Sequence, residues 1–110
     1  MAGPRSERIQ GTLDLLILRI LERETLHGWA IARRLQRISE NVLQVGQGSL
    51  YPALHRLEDE EWITAAWGIS EAGRRARFYR LTPSGRRQLE RERESWEHFT
   101  AAVTRVLELA

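Results

Sequence analysis

From Trp62 onward the apolar pattern of this chain changes from a helical to an alternating period, and at Thr82-Pro83 it changes back. Side chains share a face about every 3.6 residues on a helix and every second residue on a strand. A chain carrying both periods in this order therefore folds as helices, then a two-stranded ribbon, then a helix. Its 110 residues suffice for one domain with a modest core.

The first helix is expected over Leu13 to Arg23, with Thr12 as its cap and Asp14 favourable to the helix dipole. Leu13, Leu15, Leu16, Ile17, Leu18, Ile20 and Leu21 are apolar nearly all round, as in a buried central helix. Leu26-His27-Gly28 reads as a break. A second helix follows from Gly28 to Ser39, with Trp29, Ala32, Leu35 and Ile38 on its apolar face and Arg33, Arg34 and Arg37 on the other. Glu40 to Gln47 reads as a connector in which Val42, Leu43 and Val45 form an extended stretch beside the ribbon. The third helix is expected over Ser49 to Glu61, capped by Ser49, with Pro52 in its first turn. The ribbon is Trp62 to Trp67 and Arg74 to Leu81, joined through the turn residues Gly68 to Gly73.

Thr82-Pro83 is a strong helix start. The helix it opens runs to Leu109, about 40 Å at ~1.5 Å per residue. Leu89, Trp96 and Val103 recur every seven residues, and Phe99 and Val106 form a second series offset by three. Together they make an interrupted a/d seam. A helix this long on so small a body needs a partner surface, most simply a second copy of the chain. The chain therefore reads as mainly α with a small β-hairpin: a winged helix-turn-helix over residues 11–82, a dimerisation helix over 83–110, and a flexible polar arm over 1–10.

Net charge is only +2, so placement matters more than total. Every basic residue is arginine, whose planar fork suits phosphate and guanine. The ribbon carries Arg74, Arg75, Arg77 and Arg80 against one acid, Glu71, whereas Glu58 to Glu61 are all acidic. Positive potential thus gathers at the ribbon, away from the end of the third helix. In a helix-turn-helix the start of the recognition helix enters the major groove. That start carries Gln47, Gly48, Ser49, Leu50 and Tyr51, followed by His55 and Arg56. With Arg74, Arg75 and Arg77 these are the candidate duplex-DNA contacts.

Enzymatic readings find no support in the pattern. His27, His55 and His98 are too far apart for a metal-site spacing, and Ser49 with His27 forms no recognisable triad. Absence of cysteine rules out disulfides and thiolate ligands. No cofactor is implied. Met1 to Gln10 lacks the apolar core of a signal peptide, and Leu13 to Leu21 is interrupted by Asp14 and Arg19 and too short to span a membrane, so a cytoplasmic location is expected.

The runs Leu26-His27-Gly28-Trp29-Ala30-Ile31, Gly48-Ser49-Leu50-Tyr51-Pro52-Ala53-Leu54-His55-Arg56-Leu57-Glu58 and Arg74-Arg75-Ala76-Arg77-Phe78-Tyr79-Arg80-Leu81-Thr82-Pro83-Ser84-Gly85 resemble the PadR family of bacterial transcriptional regulators. The resemblance spans about Gln10 to Leu107 and points to the short subfamily with one C-terminal helix. It implies a homodimeric, sequence-specific DNA-binding regulator, mostly a repressor on a palindromic operator, with Ser49, Leu50, Tyr51 and Arg74 to Arg77 touching DNA. It also implies an effector, a planar or amphipathic small molecule near the dimer interface, for which Trp96 is the matching aromatic. A second reading is a winged-helix module that meets an acidic protein surface and binds no DNA.

Overall fold

The computed structural model describes the backbone from Pro4 to Ala110 and the side chains from Gly11 to Ala110. Its elements are α1 (Pro4–Arg23), β1 (Leu26–His27), α2 (Gly28–Ile38), α3 (Gln47–Asp59), β2 (Ile63–Ile69), β3 (Arg75–Leu81) and α4 (Pro83–Leu107). The three strands form an antiparallel sheet in the order β1-β3-β2, with Trp67 opposite Arg77 and Ile63 opposite Leu81.

The core lies where the three short-chain layers meet. Ile17 and Leu18 of α1, Ile31 and Leu35 of α2, Leu54 and Leu57 of α3, Ile63 and Tyr79 of the sheet, and Leu89 of α4 are all buried together. Such a core is non-directional in its driving force, so its geometry is set by the caps and corners that fix each helix entry. At the end of α3, Glu61 takes a left-handed φ of 62° and the Trp62 N–H donates to the Leu57 carbonyl at 3.0 Å. This is a Schellman-type stop, and it turns the chain directly into β2. Thr82 then ties the opposite corner. Its hydroxyl donates to the Glu61 carbonyl at 2.7 Å and accepts from the Gly85 N–H at 2.9 Å. α4 therefore starts locked to the α3–β2 corner and packs back across α1.

Several sequence expectations need correction. α1 begins at Pro4, so Thr12 lies inside it and Pro4–Gln10 belong to the helix instead of a flexible arm. Proline suits a helix start because its missing N–H has no intrahelical acceptor there. Met1 to Gly3, the rest of that expected arm, lie outside the described residues. Leu26–His27, read as a break, pairs with β3 as a third strand, while Val42 to Val45 form no strand. The apolar face of α2 is Gly28, Ile31 and Leu35; Trp29 and Ile38 are exposed by 58% and 65%. α3 starts two residues early. Gly46, not Ser49, is its N-cap, and Pro52 stands in the second turn, where it withholds a donor from the Gly48 carbonyl.

Candidate nucleic-acid interface

The start of α3 and the β2–β3 ribbon face one another across a groove of about 680 Å³. Tyr51 and His55 project into it from α3, and Trp67, Arg74, Arg75 and Arg77 from the ribbon. This arrangement follows from the strand period. Trp67, Ile69, Arg75 and Arg77 share a sheet face with the buried Tyr79, so turning Tyr79 to the core turns the arginines toward α3. Burial raises the Tyr79 hydroxyl's pKa, and the nearby Arg77 charge offsets part of that rise.

Tyr51 sits over the first residue of α2. A Cβ added at Gly28 would lie 3.0 Å from the Tyr51 Oη, so glycine is what lets the ring lie this close. The ring remains 40% exposed. Gln47, Gly48 and Ser49 are exposed at the helix start. The Leu50 N–H bonds back to the Gly46 carbonyl at 3.0 Å, and Gly46 makes no side-chain cap. The Ser49 N–H shares that carbonyl at 3.2 Å, so in the first turn it is the Gln47 and Gly48 N–H groups that face outward without an intrahelical acceptor.

The arginines divide into two kinds. Arg77 is held by Glu58 at 2.7 Å, which fastens the ribbon to α3. Arg56 is held by Asp14 at 2.7 Å and so points to α1, away from the groove. Arg74 and Arg75 are exposed, and the Arg75 guanidinium lies 4.5 Å from the centre of the Trp67 ring. Stacking of this kind restricts a flexible cation without neutralising it.

Of the residues expected at the interface, the groove gathers Tyr51, His55, Arg74, Arg75 and Arg77, with Gln47, Gly48 and Ser49 exposed on its α3 side. Leu50 does not belong with them. It is 1% exposed and packs in the core, because residues 50, 54 and 57 share the inner stripe of α3. Trp29 and Trp67 line the same groove and were missed. A three-residue spacing puts Trp29 on the apolar face of α2, whereas the 28–31–35 spacing gives the face that is buried. For Trp67 the signal was available in the alternation that also positions Arg77.

On α4 the expected seam splits. Leu89 is fully buried in the core of its own chain, since the first turns of α4 are needed to cover α1. It is therefore not an interface residue. Trp96 and Val103 are each 39% exposed, Val106 is 71% exposed, and Phe99 is half-buried with its ring 6.2 Å from that of Trp96. Trp96 and Phe99 border a cleft of about 260 Å³ against Thr12 and Leu15 of α1. Among the described residues no helix is long and apolar enough to cross a membrane.

Three helices, a three-stranded sheet with an arginine-bearing wing, and a long fourth helix define a winged helix-turn-helix regulator. The sequence matches the transcriptional regulator PadR-like family over residues 17–91, and the chain belongs to that family, whose members are regulators and not enzymes. It is 32% identical to an uncharacterised protein of Lysinibacillus sphaericus over 96% of this chain and 93% of that one. It is also 37% identical to a transcriptional regulator of Mycobacterium tuberculosis, over 62% of this chain and 63% of the regulator. Among solved structures, a PadR-like transcriptional regulator from Bacillus cereus superposes with a TM-score of 0.80 at 28% identity, covering 96% of this chain and all of the other. A transcriptional regulator from Clostridium thermocellum superposes with a TM-score of 0.81 at 27% identity, covering 91% and 97%.

Proposed function

We propose that this regulator is a cytoplasmic repressor that binds a palindromic duplex operator as a homodimer. Each subunit lays the start of α3 in the major groove, with Gln47, Gly48, Ser49, Tyr51 and His55 at base edges and phosphates. The wing follows the adjoining backbone with Arg74 and Arg75, while Arg77 holds the wing at the right distance from α3. The observation that carries this reading is the shared groove of α3 and wing, where exposed arginines and aromatics converge and the acidic Glu58 to Glu61 run lies at the far end of α3. Homodimerisation through α4 is supported by the exposed row Trp96, Val103 and Val106, which a soluble monomer gains nothing by displaying.

Relief of repression by a planar or amphipathic molecule rests on the cleft beside Trp96 and Phe99. A flat apolar ligand entering it would stack on Trp96 and shift the packing of α4 on α1. Quenching of Trp96 fluorescence by a panel of planar compounds, absent in Trp96→Ala while the dimer persists, tests this part.

The central test is fluorescence anisotropy on the duplex upstream of the protein's own coding sequence, with a random duplex as control and Tyr51→Ala and Arg74→Ala/Arg75→Ala alongside. Selective binding that both variants lose is the expected result. If each subunit covers ~3–5 phosphates, log K falls against log salt with a slope of about −5 to −9. Absence of binding to either duplex at low salt would overturn the reading and leave the wing as a surface for an acidic protein.

A further inference from the structure

A second guanidinium–indole stack stands on the other side of Tyr51 from the wing. On α2 the Arg33 guanidinium lies 4.8 Å from the centre of the Trp29 ring, and the His27 ring stacks on the same indole at a centroid distance of 6.3 Å with 23° between planes. Trp29 nevertheless remains 58% exposed. Its face thus serves neither the core nor the helix, and what it does is hold Arg33 in place. Arg33 has no carboxylate partner among the described residues, whereas its neighbour Arg34 is tied to Glu24 at 2.6 Å.

Trp29 and Arg33 border a groove of about 500 Å³ with Gln36, Gln44, Gln47 and Tyr51. Trp29 and Tyr51 also line the α3–wing groove, so the two grooves adjoin at these side chains. One basic and aromatic surface therefore runs from the wing across the start of α3 to α2. Side-chain amides beside a cation suit phosphate and sugar oxygens, which receive most protein–DNA hydrogen bonds.

We propose that Arg33, held on Trp29, is a third duplex contact in each subunit, a phosphate clamp on the flank of α3 opposite the wing. The inference rests on the DNA-binding reading above and adds a site to it. Arg33 supplies the charge; Trp29 is a positioning residue that orders the guanidinium before the duplex arrives, so less freedom is lost on binding. A contact of this kind raises affinity for every sequence and carries no base information.

The test is anisotropy on the upstream and random duplexes with Arg33→Gln, Trp29→Ala and Trp29→Phe, after circular dichroism shows native helix content for each. Arg33→Gln should weaken both duplexes by the same factor. Losing one phosphate per subunit removes about 1.8 from the salt slope of a dimer, so its deficit shrinks roughly tenfold between ~50 mM and ~200 mM salt. Trp29→Ala should weaken both duplexes with the salt slope retained, and Trp29→Phe should restore binding. An unchanged slope in Arg33→Gln, or a loss confined to the upstream duplex, overturns the clamp. If Arg74→Ala/Arg75→Ala loses binding while Arg33→Gln equals the parent, the DNA reading stands and the clamp alone falls. If the parent chain binds neither duplex, both fall.

Discussion

Gly85 is where the structure reverses an expectation drawn from helix propensity. It occupies the first turn of α4, and replacing glycine by alanine in a helix ordinarily stabilises by about 1 kcal/mol. Here an added Cβ would stand 1.9 Å from the Trp62 carbonyl oxygen and 2.8 Å from Leu81 Cδ1. Backbone must therefore retreat by about 1 Å, since real Cβ contacts do not fall below 3.0 Å. Forcing volume into a packed site costs ~1–3 kcal/mol. The same movement stretches the Thr82 N–H bond to the Trp62 carbonyl, 3.0 Å, and the Thr82 cap on Gly85, 2.9 Å. Loss of a cap costs about 1 kcal/mol. Set against the propensity gain, Gly85→Ala should destabilise by about 1–3 kcal/mol. Urea denaturation followed by circular dichroism at one fixed protein concentration reads this directly. Gly11→Ala is the control, because nothing lies within 4 Å of its added Cβ inside α1, and it should gain up to about 1 kcal/mol. A Gly85→Ala protein as stable as the parent, or more so, would refute the reasoning that the α3–β2 corner dictates how α4 docks.

Two further outcomes follow from the packing of α1 and α4. Burial raises the Asp14 carboxyl above its ordinary value of 3.8, the charge and hydrogen bond of Arg56 pull it back only in part, and Glu92 adds to the rise. The folded chain then binds this proton more tightly than the unfolded one, so the stability Asp14 contributes is complete below that ordinary value and is lost as pH climbs through the raised one. Asp14→Asn should therefore gain on the parent as pH increases across that window, in urea titrations at a series of pH values; a constant difference, or the opposite trend, would show that the Arg56 pair dominates. Val103→Glu places charge in the exposed row of α4, 39% exposed, and should sediment as a monomer with helix content retained where the parent, on the proposed reading, sediments as a dimer. A dimer that survives it would remove α4 as the interface.

Local chemistry made much of this protein legible before any fold was known. Thr82-Pro83 opens α4 where the sequence pattern puts it, with the Thr82 hydroxyl accepting from the Gly85 N–H. The alternation around Phe78 and Tyr79 marks β3 and turns Arg75 and Arg77 to one face. Both features act over a few residues and need no distant partner. The family resemblance was carried by runs of the same local kind.

What depended on distant partners was not legible in advance. Leu26–His27 becomes a strand only because β3 offers a free edge, and two residues carry no period of their own. Leu50 and Leu89 have the spacing of functional positions but are claimed by the core, since α3 and α4 must each cover α1 and the sheet. Arg56 and Arg77 look alike in sequence; Asp14 turns one toward α1, and Glu58 sets the other between α3 and the wing. By itself the sequence determined the order of the four helices and the two long strands and where the positive charge lies, because those follow from neighbours along the chain. Only the tertiary structure decided which apolar residues are core and which arginines stay free, because burial and ion pairing are settled by whatever element lies opposite in space.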